Sequence, residues 1–130
     1  MIRRPSLPAR LLACCVMLAA AAASQAEASR TWHFTGAELV AALRGKMPNP
    51  FQAEAQSRQF SNAYGQAYIA GIADQTQGAA WCTRTGVLPH ELSDRVYTYL
   101  SALPEARLSG NAAPLVGEAL AQSFPCKGIR

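Results

Sequence analysis

The longest helical pattern of the chain lies between about Ala53 and Thr76, and it limits the fold more than any other feature. Large apolar side chains recur every fourth residue along it, as on one edge of an α-helix: Phe60, Tyr64, Tyr68 and Ile72. Small residues run beside them at the same spacing: Ala63, Ala67 and Gly71. We expect the aromatic edge to fill the core and the small edge to admit another helix. Ile69 points to the other side, as exposed apolar surface or part of an interface.

Shorter helical patterns lie on both sides of this segment. Thr35 and Glu38 have the spacing of a capping box, in which each side chain accepts from the other residue's amide. That first helix should end before the prolines of Met47 to Pro50, because proline disfavours α geometry in the residue before it. A third helix should begin at Pro89, since proline fits the first turn.

Two apolar stripes complete the predicted core. The third helix should bury Leu92, Val96, Tyr99, Leu100 and Leu103. A fourth helix, from about Ala112 to Ser123, should bury Leu115, Val116, Ala119, Leu120 and Phe124. The sequence therefore predicts an all-α fold, a compact bundle of about four helices without a sheet.

The first 28 residues have the pattern of a cleaved signal peptide. A head with three arginines precedes 13 apolar residues, Leu11 to Ala23, and a small-x-small cleavage site ends at Ala28. The apolar stretch is too short to span a bilayer, although a membrane-anchored helix is the alternative interpretation. We expect residues 1–28 to be removed during export and residues 29–130 to form a single domain.

Cleavage would leave only two of the four cysteines, Cys82 and Cys126. In an exported chain of this size two cysteines most simply form one disulfide. A loop of 45 residues closed in this way would stabilise the fold by roughly 4 kcal/mol. A reactive or metal-binding thiol is the alternative, but the sequence has no C-x-x-C motif and no histidine near either cysteine.

Charge argues against nucleic acid as a partner. Three arginines and one glutamate lie in the leader, so the remaining chain has nine basic and seven acidic residues. It contains no basic run and no arginines interleaved with aromatic residues, which are the usual signs of nucleic-acid binding. A mild positive surplus favours solubility or association with an acidic protein.

No set of residues with a catalytic or metal-binding pattern is present. The two histidines, His33 and His90, do not fall at metal-ligand spacing with a cysteine or an acid. No nucleophile elbow, glycine-rich phosphate loop or H-E-x-x-H motif occurs. Asp74 has no second carboxylate or histidine spaced to work with it, so we favour a structural hydrogen-bonding role. We predict a protein that is not an enzyme and needs no cofactor.

Several segments, taken in order, resemble one known family. They are GAELVAAL in the first helix, AYIAGIAD in the second, WC after it, and LPHELSDRVYTYLSALPEARLSGNAAPLVGEALAQSFPC to the end of the pattern. Together, from Gly36 to Cys126, they resemble the Rap/Tai family of type VI secretion immunity proteins. The residues of these blocks that we expect to be structural are Tyr68, Gly71, Asp74, Pro104 and Pro125.

The resemblance implies a binding function. Members are exported to the periplasm, are all-helical, often form homodimers, and bind peptidoglycan amidase effectors by covering the cysteine–histidine cleft. Many have two more cysteines, at positions that fall here at about Leu43 and Gly65, so Cys82 and Cys126 would be the remaining bridge. The family often has a histidine where this chain reads Leu108-Ser109; if that histidine contributes to effector recognition, this protein recognises something different.

The predicted function is therefore a periplasmic immunity protein that occludes an amidase effector. The alternatives are a helical periplasmic adaptor or assembly factor without a toxin partner, and a small hydrolase. We place the partner contacts in the two long connections, 83–88 and 105–111, because loops on a helical scaffold commonly carry recognition groups. The polar residues there are Arg84, Arg107 and Asn111; the alternative for the arginines is that they are merely solvated.

Overall fold

A computed structural model describes residues 30–127 of the chain. The chain divides into two compact units, the first of which ends at Thr31. The fold described below is that of the second unit, which begins at Trp32. The predicted signal peptide lies outside the described residues.

Five helices lie in the described part of this unit. They are α1 (Gly36–Leu43), α2 (Glu54–Thr76), α3 (Pro89–Ser101), α4 (Glu105–Leu108) and α5 (Ala112–Ser123). Between residues 30 and 127 no β-strand occurs, which confirms the all-α prediction. The four predicted helices are present, and α4 adds a single turn inside the predicted connection between the third and fourth. None of the helices between residues 30 and 127 has both the length and the apolarity that crossing a membrane requires.

Local hydrogen bonds explain where the helices begin. The Thr35 hydroxyl accepts from the Glu38 amide at 3.1 Å, and the Glu38 carboxylate accepts from the Thr35 amide at 2.8 Å, so the predicted capping box is confirmed. Pro89 occupies the first turn of α3. At the end of α1 the chain turns through Gly45, whose φ of 76° is a conformation that glycine adopts without a steric penalty.

The buried face of α2 differs from the predicted one. The side that faces the core carries Ser61, Gly65, Ile69 and Ala73. Ile69 is fully buried, so its predicted place on the opposite, exposed side was wrong. Phe60 and Tyr64, which were expected to fill the core, are 38% and 40% exposed, whereas Tyr68 and Ile72 are half-buried. The small edge of Ala63, Ala67 and Gly71 is exposed as well.

Close packing between α1 and α2 accounts for this rotation. A Cβ placed on Gly65 would lie 3.1 Å from Leu43 Cδ2 and 3.3 Å from Ala42 Cβ, so the helices approach each other where α2 has no side chain. One turn earlier, the buried Ser61 hydroxyl donates to the Ala42 carbonyl at 2.9 Å and accepts from the Met47 amide at 2.9 Å. The contact therefore requires small residues, and the larger side chains lie at its border.

The C-terminal end of the domain is fixed to the end of α2. Cys82 and Cys126 form a disulfide with their Cα atoms 4.7 Å apart, as predicted. The Cys82 amide donates to the Phe124 carbonyl at 2.9 Å. The buried Trp81 indole donates to the Ala73 carbonyl at 3.0 Å, and its ring lies 5.7 Å from that of Phe124. These contacts hold the last residues of α5 against the core.

The remaining predicted core is largely confirmed. Leu92, Val96 and Leu100 of α3 are buried, as are Leu115, Val116, Ala119 and Leu120 of α5. Tyr99, Leu103 and Phe124 are half-buried and pack against this cluster.

Candidate partner-binding surface

Arg107 on α4 forms an ion pair with α5. Its guanidinium Nη2 lies 2.6 Å from Glu118 Oε2, and the Tyr99 hydroxyl donates to the same oxygen at 2.7 Å. The bond from Tyr99, together with that from Arg107, lowers the pKa of the Glu118 carboxyl. About half of each ion-pair side chain is exposed, so solvent screens this small network. Arg107 is thus held in a defined orientation at the surface.

The other two predicted contact residues have different surroundings. Asn111 is the N-cap of α5; its side-chain oxygen accepts from the Ala113 amide at 3.0 Å, and the residue is half-buried. Arg84 is exposed in the connection after Cys82. The structure therefore gives Asn111 a capping contact, places Arg107 in a paired surface network, and leaves Arg84 on a separate loop.

The residues expected to be structural are spread over the fold. Half-buried Tyr68 packs edge-on against Phe34 with a centroid separation of 5.1 Å, and burial raises the pKa of its hydroxyl. Gly71 and Asp74 are exposed. Pro104 is the N-cap of α4, and Pro125 is the exposed residue directly before the disulfide.

Three exposed rings form a continuous surface that we call the aromatic ridge: Phe51, Phe60 and Tyr64. The centroids of Phe51 and Phe60 are 5.2 Å apart, and those of Phe60 and Tyr64 are 5.8 Å apart. The rings are 43%, 38% and 40% exposed, respectively. Phe34, which is buried, supports Tyr64 from below with an edge-on contact at 5.9 Å. The period of four along α2 had marked Phe60 and Tyr64 in the sequence, but as core residues.

The surface of α2 around the ridge is uncharged. No charged residue lies between Arg58 and Asp74 in the sequence. Small residues lie next to the rings, and a Cβ on Gly71 would meet nothing within 4 Å, so this part of the helix surface is open. Aromatic enrichment combined with depletion of charge is typical of the centre of a protein–protein interface.

An open groove of about 500 Å³ lies where the end of α1 meets α2, and none of the three ridge residues lines it. Gln59 and Ala63 of α2 line it, as do two arginines, Arg44 and Arg58. The Arg44 guanidinium donates to the Tyr97 hydroxyl at 2.9 Å, and this bond lowers the pKa of Tyr97. Arg58 pairs with exposed Glu54 at 3.0 Å. The groove can thus offer cationic and amide groups to a partner.

The histidine, cysteine and acidic side chains of the described region are dispersed over the fold. Among residues 30–127 no group of three or more His, Cys, Asp or Glu side chains is placed to hold a metal ion. His33 is exposed next to Phe34 and Tyr64, and His90 is exposed at the start of α3. Both cysteines of this region are in the disulfide.

Comparison with known proteins agrees with a binding function. The family model described as Rap1a immunity proteins matches residues 35–126, a stretch that includes all five helices and both cysteines of the disulfide. A search of the curated proteins found no match.

Proposed function

The chain belongs to the Rap1a immunity protein family, and from this we propose that it protects its cell by binding a cognate effector protein. We further propose that this effector is a peptidoglycan amidase delivered by type VI secretion and that the two proteins meet in the periplasm. The observation that carries the proposal is the family match over residues 35–126. This stretch extends from the capping box of α1 to the disulfide between Cys82 and Cys126.

Inhibition by occlusion needs a rigid surface and no chemistry of its own. The disulfide and the Trp81 contacts fix the end of α5, so the connections between helices are presented on a stable scaffold. A preorganised surface loses little conformational entropy on binding, which favours tight inhibition. We therefore propose that the protein covers the amidase cleft without acting on the effector or on peptidoglycan.

We keep the two connections as proposed contact regions. Arg84 and Arg107 are exposed there and can meet acidic groups of the effector. Asn111 also caps α5, so a substitution at this position tests stability and binding together. Charge reversal at Arg84 tests the first connection with less effect on the fold, because exposed substitutions usually change stability by about 0.5 kcal/mol or less.

The first test is whether a gene next to this one encodes a small amidase with a cysteine–histidine pair, and the function is then tested with that amidase. We expect cells that export this amidase to lyse, and co-expression of the full chain with its own leader to prevent the lysis. The purified protein should also stop the amidase from releasing fragments from peptidoglycan sacculi at a one-to-one ratio. Alanine variants of His33 and His90 should protect as well as wild type, because occlusion uses neither side chain as a reagent.

Two results would contradict the proposal. Lysis unaffected by the full chain, together with an amidase that remains active in the presence of the purified protein, would favour an adaptor or assembly factor without a toxin partner. Digestion of sacculi by the purified protein alone would indicate a hydrolase.

A further inference from the structure

We propose that the groove between the end of α1 and α2 binds carboxylates, and that its occupant is an acidic segment of the effector. The groove has a volume of about 500 Å³, and two of the residues that line it are arginines, Arg44 and Arg58. No acidic residue of the described region is among the nine that line it. This inference rests on the proposed function and adds a binding site that lies outside the two connections.

Gly45 brings the two arginines into one groove, although Arg44 and Arg58 lie far apart in the sequence. The chain turns at Gly45 with a φ of 76°. A Cβ on Gly45 would lie 3.1 Å from Arg58 Cβ and 3.3 Å from Arg58 Cα, so the base of that arginine packs against a residue without a side chain. Arg44 directly precedes this glycine. The close approach therefore places two cationic side chains at the same site.

Arg44 is held in position by a neutral group. Its Nε donates to the Tyr97 hydroxyl at 2.9 Å, and its guanidinium carbon lies 5.6 Å from the centroid of the Tyr97 ring. These contacts restrict the guanidinium without neutralising its charge, and they leave Nη1 and Nη2 as donors for a carboxylate. An arginine that is already oriented loses less side-chain entropy when it forms a two-pronged bond with such a group.

Arg58 can exchange its present partner for another carboxylate. Its Nη1 lies 3.0 Å from Glu54 Oε1, but the two side chains are 61% and 85% exposed. An ion pair with this exposure is weak because water screens it. Glu54 thus shows that a carboxylate can reach Arg58 at the border of the groove, and it competes there with the acidic groups of a partner.

The extent of the site favours a segment of chain over a single small anion. A second depression, of about 200 Å³, shares Arg44 and Asn62 with the groove and continues to Tyr97 and Asp94 of α3. The combined site is positive in the groove and carries one acidic side chain in the second depression. A peptide segment whose acidic residues are followed by a neutral or basic one is complementary to this pattern.

The first experiment titrates the isotope-labelled protein with a capped tetraglutamate peptide and follows it by NMR. Shifts should be concentrated at the Gly45 amide, the Asn62 side-chain amide and Arg44 Nε, and a tetraglutamine peptide should cause none there. Arg44→Gln should abolish this response. Arg95→Gln should leave it unchanged, because Arg95 is an exposed arginine that pairs with Glu91 outside the groove.

The second experiment measures binding to the amidase of the functional test, with its nucleophilic cysteine changed to alanine. Arg44→Gln should raise the Kd by at least about 10-fold and reduce its dependence on salt. Glu54→Gln should lower the Kd by about twofold, because it removes the carboxylate that competes for Arg58. Glu91→Gln should leave the Kd unchanged. It is the matched control, since Glu91 also lies in a first turn and pairs with an arginine four residues later.

Thermal melts show whether each variant keeps its fold. Arg44→Gln loses a bond to Tyr97 of α3, so Arg58→Gln, whose ion pair lies within α2, serves as a second variant. It should raise the Kd by at least about threefold without changing the melting temperature.

The outcomes separate the two proposals. If wild type binds the amidase and both arginine variants bind it equally well, the groove proposal is wrong while the immunity function stands. If wild type binds the peptide in the groove but does not bind the amidase, the proposed function fails and the groove remains a carboxylate site. Peptide shifts spread over all exposed arginines would overturn the site. Tighter binding of soluble muropeptides than of the peptide would assign the groove to peptidoglycan, and self-association lost in Arg44→Gln would assign it to a second copy.

Discussion

Ser61 is a small polar residue that holds two separate segments together. It is fully buried on α2, and its hydroxyl connects the Ala42 carbonyl at the end of α1 with the Met47 amide in the following loop. The Ala42 carbonyl also accepts from the Gly45 amide, but for the Met47 amide the serine oxygen is the partner that the structure provides. A half-buried amide that loses its acceptor keeps much of the cost of its desolvation.

We expect Ser61→Ala to lower the free energy of unfolding by about 1–3 kcal/mol, since it leaves that amide without its acceptor. Ser93→Ala is the matched control, because Ser93 is also buried but its hydroxyl donates to Pro89 four residues back in its own helix. That control should stay within about 0.5 kcal/mol of wild type. Urea denaturation of the three proteins measures the difference, and equal losses in both variants would contradict the special role of Ser61.

At the scale of elements, α2 has two glycines in opposite environments. Gly65 lies at the crossing with α1, where Leu43 and Ala42 occupy the space that a side chain would need. Gly71 lies two turns later on the exposed edge, where a Cβ would meet nothing within 4 Å. The pair therefore separates the intrinsic cost of glycine in a helix from the steric requirement of close packing.

Gly71→Ala should stabilise the protein by about 0.5–1 kcal/mol, because alanine loses less backbone entropy in a helix. Gly65→Ala gains the same propensity but presses a methyl group against Leu43, and overpacking costs about 1–3 kcal/mol. We expect Gly65→Ala to be less stable than Gly71→Ala by at least about 1 kcal/mol in chemical denaturation. An equal gain in both variants would show that α1 can move away without cost.

The proximity of Leu43 and Gly65 also bears on the family comparison. The resemblance places an additional cysteine pair at about these two positions, and the structure brings the positions into contact although 22 residues separate them. Here a leucine packed over a glycine occupies the space. The crossing of α1 and α2 is thus held by apolar packing and by the Ser61 hydrogen bonds.

At the scale of the whole molecule, one disulfide joins the segment that follows α2 to the segment that follows α5. The loop it closes contains α3, α4 and α5, and its stabilisation on the chain-entropy model is roughly 4 kcal/mol. A domain of this size has a total stability of about 5–15 kcal/mol. The crosslink is therefore a large part of the stability on which protection depends.

Reduction should lower the free energy of unfolding by about 2–4 kcal/mol, measured by urea denaturation with and without a thiol reductant. A variant with both Cys82→Ala and Cys126→Ala should be as unstable as the reduced protein and should not respond to the reductant. At temperatures where the reduced protein stays folded, its affinity for the amidase should be almost unchanged. A reductant effect that persists in the double variant would place the sensitivity elsewhere.

Local chemistry allowed the sequence alone to predict where three of the helices begin, namely α1, α3 and α5. The Thr35–Glu38 capping box, Pro89 in a first turn and the start of α5 depend on hydrogen bonds and backbone geometry within a few residues. The disulfide was also predictable, because only two cysteines follow the predicted leader and they had no other partner to pair with. The family resemblance, carried by ordered blocks of residues, indicated the immunity proteins.

Tertiary structure alone decided which face of α2 is buried. Adjacent residues on a helix differ by about 100° in direction. The aromatic series that begins at Phe60 therefore borders the series that begins at Ser61 and contains Gly65 and Ile69, and both series have a period of four residues. Hydrophobicity favoured the aromatic series for the core. The crossing with α1 instead selected the series with Gly65 and Ile69, because close approach of two backbones needs room that large rings do not leave. That rotation placed the rings at the surface and produced the ridge.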